Sequence, residues 1–246
     1  MRELLRPKWI LSTLLAVLGV AVLIRLGIWQ LDRLTQRRAF NARVEVQLNQ
    51  PALDLNQTPL PADLWDMEYR AVQVRGRYVP QEEVLLRNQA WQDRPGYHLL
   101  TPLVIEGGGA KVLVDRGWIP LPDDRNAVPD TLAPADPTTI TGYIGPEPTV
   151  GIELGPAAAE AELMSPQVYR VQRVHVPGVE SMLDRKLWPG VVYLDANELG
   201  ALTVNWQLPG DGSARNRSYA VQWFAMATML AGLGLWNLYG RKRGHG

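Results

Sequence analysis

The chain has 246 residues with 25 basic and 25 acidic side chains, a formal charge of zero, so no whole-chain basic field points to nucleic acid. It contains no Cys, which excludes disulfides, thiolate copper sites, Cys-ligated zinc, iron–sulfur clusters and thiol–disulfide exchange within it. Hydrophobic residues make up 46% of the sequence, and they concentrate at the two ends.

Residues 1–8 form a basic N-terminal flank, with Arg2, Arg6 and Lys8 against Glu3. Trp9 to Ile24 then carries no charge. With Arg25 snorkelling to the interface, residues 9–29 supply the about 20 residues that cross a bilayer core. Trp9 and Trp29 mark its ends, where amphipathic rings favour headgroups. Gly27-Ile28-Trp29-Gln30 is a poor signal-peptidase site, which argues against removal of this segment.

Residues 30–217 are read as an extracytoplasmic domain. WQLDRLTQRRAFNARVEVQL is predicted to be helical, continuing the span, with Leu31, Leu34, Ala42 and Val46 on one face. Pro51 to Pro61 breaks that pattern. Strand texture follows at 69–79, 83–89, 97–106, 111–119, 138–144, 167–176 and 190–196. Gly107 to Gly109 reads as a hairpin connection. The stretch 129–137 is loop-like, as is 155–163, with a short helix as the alternative for the latter. The expectation is a mostly antiparallel β barrel- or sandwich-like domain. Gly76, Gly96 and Gly117 are expected to answer backbone geometry. Arg116 and Trp118 are expected to face opposite sides of their strand, with one of them in the core.

Residues 218–240, SYAVQWFAMATMLAGLGLWNLYG, are uncharged and read as a second span. Tyr219, Trp223, Trp236 and Tyr239 lie near its ends. Ala227 with Ala231, and Thr228 with Gly232, are small-xxx-small pairs that let helices approach. Residues 241–246 form the tail, with Arg241, Lys242 and Arg243. Positive flanks stay in the cytoplasm, so both termini are placed there. Arg33, Arg37, Arg38 and Arg43 would then lie outside, against the rule, but behind a loop the size of a domain.

Reactive constellations are missing from the pattern. No dinucleotide fingerprint follows a strand, and there is no P-loop and no nucleophile elbow. Asp123 and Asp124 sit in a Pro-rich loop. His98, His175 and His245 lack metal-ligand spacing. The reading is a non-enzyme, a binding or assembly factor.

Several segments together resemble the Surf1 family of cytochrome c oxidase assembly factors. Leu26, Gly27, Trp29, Gln30 and Arg33 match its LGxWQxxR pattern. VRGRYV (74–79) resembles its VxGxY strand. Asn88, Pro95, Gly96, Tyr97, Thr101, Pro102 and Leu103 follow its asparagine–glycine–proline stretch. VLVDRGWIP (112–120) resembles VNRGWVP, and SYAVQWFAMA (218–227) resembles YAxQWF. The resemblance implies haem–copper oxidase biogenesis: haem a is bound near the second span and presented to oxidase subunit I, with haem a synthase as a further partner. The suspected haem-ligating His of the family, three residues before the second-span Tyr, is Asn216 here.

On that implication, Arg25, Arg215 and Arg217 form an outer rim whose guanidinium groups would pair with the haem carboxylates. Tyr219, Trp223 and Met226 share one face that could stack on the ring or approach the iron, and Gln222 faces a partner helix or ligand. The alternative for these rim residues is plain snorkelling and an aromatic belt. Two further alternatives are a haem-free chaperone of subunit I and a membrane-anchored ligand-binding or sensor module. The short segment before the first span is not an Arg/Ser-rich transit peptide, which favours a two-pass protein of the bacterial plasma membrane over the mitochondrial inner membrane.

Overall fold

A computed structural model describes residues 7–59, 64, 67–124, 127–129, 131–148, 161–165, 168–207, 209–210 and 212–243. His245 lies outside them. Two compact units emerge: a helical one from Met1–Arg43 with Pro209–Gly246, and a β one from Val44–Leu208.

The helical unit is built on α1 (Pro7–Leu48) and α3 (Ser213–Arg243). Pro7 at the first turn costs α1 no hydrogen bond, and the helix stops shortly before Pro51. Its 42 residues make one rod of about 63 Å, twice a bilayer core. Among the described residues, α1 is the one helix both long and apolar enough to cross a membrane, and protein covers almost none of its apolar stretch. At 31 residues α3 has the length. Gln222, Thr228 and Asn237 dilute its apolarity.

Small residues set the contact between these helices. A Cβ on Gly27 would stand 2.7 Å from the Phe224 ring, and one on Gly19 would stand 3.0 Å from Leu230. Ala220 and Ala227 are buried. Of the expected small-residue pairs, Ala227 and half-buried Ala231 turn inward, whereas Thr228 and Gly232 are exposed.

Beyond the apolar stretch, the covered face of α1 differs from the expected one. Leu34 and Val44 are buried, while Leu31, Ala42 and Val46 are exposed. Half-buried Arg37 and Asn41 complete the Leu34–Val44 stripe. Apolar periodicity missed this face because polar residues occupy its middle.

The β unit contains β1 (Leu53–Asp54), β2 (Ala71–Tyr78), β3 (Val84–Trp91), β4 (Arg94–Ile105), β5 (Lys111–Pro120), β6 (Thr138–Gly145), β7 (Glu162–Ser165), β8 (Val168–Val171) and β9 (Leu187–Leu194), with helix α2 (Val176–Leu183) before β9. Strands run in the order β1-β2-β6-β9-β5-β4-β3-β8-β7, and β2 also pairs with β4. That extra pairing, Gly76 to Tyr78 against Ile105 to Leu103, closes β2-β6-β9-β5-β4 into a five-stranded barrel. Strands β3, β8 and β7 continue outward from β4. The barrel core holds Val72, Val74, Leu103, Val112, Ile140, Ile144, Val192 and Leu194.

The barrel form of the expected β domain is what folds, with corrections. Three pairings are parallel: β1–β2, β3–β8 and β5–β9. Strand 167–176 is two elements, because β8 ends at Val171 and α2 starts at Val176. Pro177 in the first turn suits a helix start. Carboxylate Glu147 accepts from Val176 N at 2.8 Å and contacts His175 Nδ1 at 2.9 Å, capping α2. In the 155–163 stretch, Glu162 and Leu163 belong to strand β7, Ala161 precedes it, and 155–160 lie outside the described residues.

Gly107 and Gly109, with φ of 85° and 66°, make the β4–β5 connection as expected. Gly117 has φ 114° and faces Thr203 O, 2.6 Å from where its Cβ would lie. Between Leu99–Gly117 and Leu100–Asp115 the ladder skips Arg116, a bulge. Two residues apart on a plain strand, Arg116 and Trp118 would share a face. The bulge lets Arg116 reach Tyr78 and Thr101, while Trp118 pairs with His98 and lies 5.6 Å from the Trp91 ring. Both are buried, not one of them.

Candidate functional site: a cationic groove in the helical unit

About three turns of α1 and one of α3 enclose a groove of about 620 Å³. Trp29, Gln30, Arg33, Gln36, Arg37 and Phe40 line it from α1, and Arg215, Asn216 and Tyr219 from α3. Residues 29, 33, 36, 37 and 40 recur at three- and four-residue spacing, which puts them on one helix face. The spacing 215, 216, 219 does the same on α3.

Its electrostatics are one-sided. Among the described residues, three guanidinium groups line it and no carboxylate does. The Arg33 guanidinium lies 5.6 Å over the Trp29 ring, and its Nη1 reaches Gln36 Oε1 at 3.4 Å. Arg37 lies 5.5 Å from the Phe40 ring, and its Nη2 donates to Gly210 O at 2.7 Å. That bond fixes the arginine, and its Nε is buried without an acceptor. A buried donor left open is costly unless a ligand completes it. Trp29 and Tyr219 are 47% and 45% exposed, and although Arg33 covers one side of Trp29, both offer ring surface to an incoming ring.

The groove gathers some of the expected site residues. Arg215 and Tyr219 line it. Arg25, Arg217 and Gln222 are exposed elsewhere on their helices, Trp223 is half-buried beside the α1–α3 contact, and Met226 is 42% exposed. Arg33 and Arg37 join instead, with Trp29, Gln30, Gln36, Phe40 and Asn216. Trp29, Gln30 and Arg33 were visible as a motif. Their spacing in α1 could have signalled a shared face, but the partner residues on α3 lie about 180 positions away.

Among the buried polar groups of the barrel, two clusters stand out. Arg116 is fully buried, with Nη1 on Glu83 Oε1 at 3.3 Å and Thr101 Oγ1 at 3.4 Å. Glu83 also accepts from Thr101 at 3.0 Å and Thr131 at 2.8 Å. Burial pushes the Glu83 carboxyl up, and hydrogen bonds from Thr131 and Thr101 and the charge of Arg116 hold it back only in part. His98 Nδ1 meets Asp115 Oδ2 at 2.8 Å, and Asp115 Oδ1 accepts from Gly117 N at 2.9 Å. No group of His, Asp and Glu able to hold a metal ion occurs among the described residues.

Sequence comparison places these features in a known group. The sequence model of the SURF1 family matches residues 17–228, which takes in both sides of the groove and the whole barrel. The chain belongs to the SURF1 family. Over 105 residues it is 34% identical to the cytochrome oxidase assembly protein SHY1 of Saccharomyces cerevisiae, covering 41% of this chain and 27% of that protein. A SURF1-like protein of Rickettsia felis is 32% identical over 129 residues, 51% of this chain and 52% of the relative. An uncharacterized SURF1-like protein of Mycobacterium tuberculosis is 27% identical over 237 residues, 94% of this chain and 83% of the relative. The chain thus spans about half or less of the length of the first two, and most of the third.

Proposed function

We propose that this SURF1 family member is a two-span, membrane-anchored assembly factor for cytochrome oxidase, which holds haem a in the α1–α3 groove and presents it to oxidase subunit I. The observation that carries the reading is the groove's composition: Arg33, Arg37 and Arg215 beside Trp29, Phe40 and Tyr219, with no carboxylate among the described lining residues. A haem offers an apolar ring and two carboxylates. Arginine pairs with carboxylates through two parallel hydrogen bonds, and aromatic faces stack on the ring. The yeast relative's name supplies the oxidase.

Asn216 stands where the family's suspected iron ligand is expected, and an amide is a very poor one. Among the lining residues, Tyr219 carries the atom best suited to ferric iron. Cargo held by its carboxylates and ring, with a weak bond or none to iron, can leave quickly. That suits handover rather than storage, and the chain turns over no substrate in this role. Haem a synthase would supply the cargo.

In this arrangement α1 and α3 cross the bacterial plasma membrane with both termini in the cytoplasm, and the barrel lies outside. The helical register of α1 past its apolar stretch then puts the groove at the outer interface. Arg33 and Arg37, which break the positive-inside pattern, are kept there for the cargo.

Asn216 also favours a second reading, a haem-free chaperone that binds subunit I through the same groove. Absorbance of the full chain, purified after co-expression with haem a synthesis, separates the two. A Soret band that fades when Arg33, Arg37 and Arg215 are changed together to Gln supports the carrier. A colourless protein that still co-purifies with subunit I supports the chaperone.

A further inference from the structure

One guanidinium holds two surface loops of the β unit from beneath. Arg116 Nε donates to Gly200 O at 2.8 Å, and Nη2 donates to Leu132 O at 2.7 Å. Thr131, next to Leu132, is tied to Glu83 at 2.8 Å. Pro134 meets Gly200 so closely that a Cβ there would stand 2.9 Å from the proline ring. The planar, five-donor arginine head fixes both carbonyls in one plane. Loops 131–135 and 198–200 are therefore one clamped unit.

On that clamped base stand two uncovered leucines, Leu132 at 85% exposure and Leu199 at 62%. A single exposed leucine means little. Two on neighbouring loops, both anchored through a fully buried arginine, are another matter. Their backbone is already ordered before any partner arrives, which lowers the entropy cost of docking.

The charge beside them selects the partner. Asp136 is exposed, and Asp195 and Glu198 are half-exposed, both accepting from Thr141 Oγ1 at 3.0 and 2.5 Å. Among the described residues, Arg77 donates to Ala135 O at 2.6 Å and is the exposed cation of the patch, while the charge of buried Arg116 is met by Glu83. Among the described groups that face solvent here, three carboxylates against one guanidinium disfavour an anionic lipid surface. They favour a protein with basic side chains at the edge of an apolar socket.

We propose that Leu132 and Leu199 are a preformed docking pair for a protein surface with an apolar socket edged by Lys or Arg. Under the assembly reading, on which this choice of partner rests, that surface belongs to a subunit of the oxidase. The test uses the full chain in its native membranes, with a photo-crosslinking side chain at 132 or 199, and at exposed Leu163 as control. The expected adducts, located by mass spectrometry, lie on one protein segment with apolar residues flanked by Lys or Arg, and position 163 does not give them. With the probe moved to exposed Ala135, Leu132→Asp with Leu199→Asp is expected to cut the adduct about tenfold, the effect of losing an anchor residue. Leu132→Met with Leu199→Met is expected to keep it. Only lipid adducts, only adducts to a second copy, no adduct, or an adduct undiminished in the Asp variant would each overturn the docking pair. If the chain still co-purifies with the oxidase in those cases, the assembly reading stands without it. Adducts to a basic-edged socket on a protein outside the oxidase would uphold the pair and overturn the oxidase reading.

Discussion

Phe224 fills the space that a side chain on Gly27 would need, with two ring carbons 2.7 Å from the Cβ position. The contact joins two motifs that lie almost 200 residues apart in the chain, LGIWQ of α1 and YAVQWF of α3. About one to three turns further along α1, Gln30, Arg33 and Arg37 meet Arg215, Asn216 and Tyr219 around the groove. The glycine thus sets the separation of the groove's walls.

Gly27→Leu is accordingly expected to push the helices apart. Overpacking of this kind costs about 1–3 kcal/mol. Thermal melting of the full chain in detergent should show the loss, and Phe224→Ala in the same chain should restore part of it. An unchanged melting temperature for Gly27→Leu would mean that the two helices do not meet there.

The arginines of the groove should not be equivalent to those outside it. Arg33→Gln with Arg215→Gln is expected to lower retention of haem, or of a carboxylated porphyrin used as probe, by tenfold or more, about 1.4 kcal/mol or above. Arg217→Gln is expected to leave it near the wild-type value, because Arg217 does not line the groove. Titration followed by absorbance reads both. Equal losses from Arg217 and from the pair would move the site away from the groove.

Inside the barrel, Arg116→Met strands Glu83 without its cation. Breaking a buried pair on one side costs about 3–5 kcal/mol, and replacing both partners with apolar groups costs far less. The full chain carrying Arg116→Met should unfold at lower denaturant, and Glu83→Leu added to it should recover much of the difference. A double variant no more stable than the single would show that the carbonyl contacts of Arg116, and not its charge, matter most.

His98 gives the barrel a pH dependence of defined sign. Burial alone pulls its pKa down, but the hydrogen bond and charge of Asp115 outweigh burial and raise it. The buried Asn205 carbonyl oxygen, which has no hydrogen bond of ordinary geometry, favours the charged ring as well. A folded pKa above the unfolded value of about 6.5 means that this stabilisation is fully present below that value. It is lost as pH rises through the folded pKa. Melting temperature should therefore fall on going from about pH 6 upward, and His98→Gln should flatten that part of the curve. A slope that survives the substitution would assign it to another group.

Elements that depend on local pattern could be read directly from the order of residues. The uncharged run of α1, the hairpin at Gly107 to Gly109 and most barrel strands were legible because side-chain period and turn chemistry act over a few residues. The ordered motifs also identified the family. The sequence did not show α2, the two-residue β1 or the parallel β5–β9 pairing, since those follow from partners far along the chain. It misjudged the covered face of α1, where Arg37 and Asn41 sit between Leu34 and Val44.

Which polar residues meet follows from the folded chain alone. Arg33 on α1 lines one groove with Arg215 on α3, beyond the point where Gly27 lets Phe224 bring the two helices together. Arg116 reaches Glu83, Leu132 and Gly200 because a bulge skips it in the β4–β5 ladder. Both outcomes turn on close approach between distant segments, and a one-dimensional pattern carries no distance.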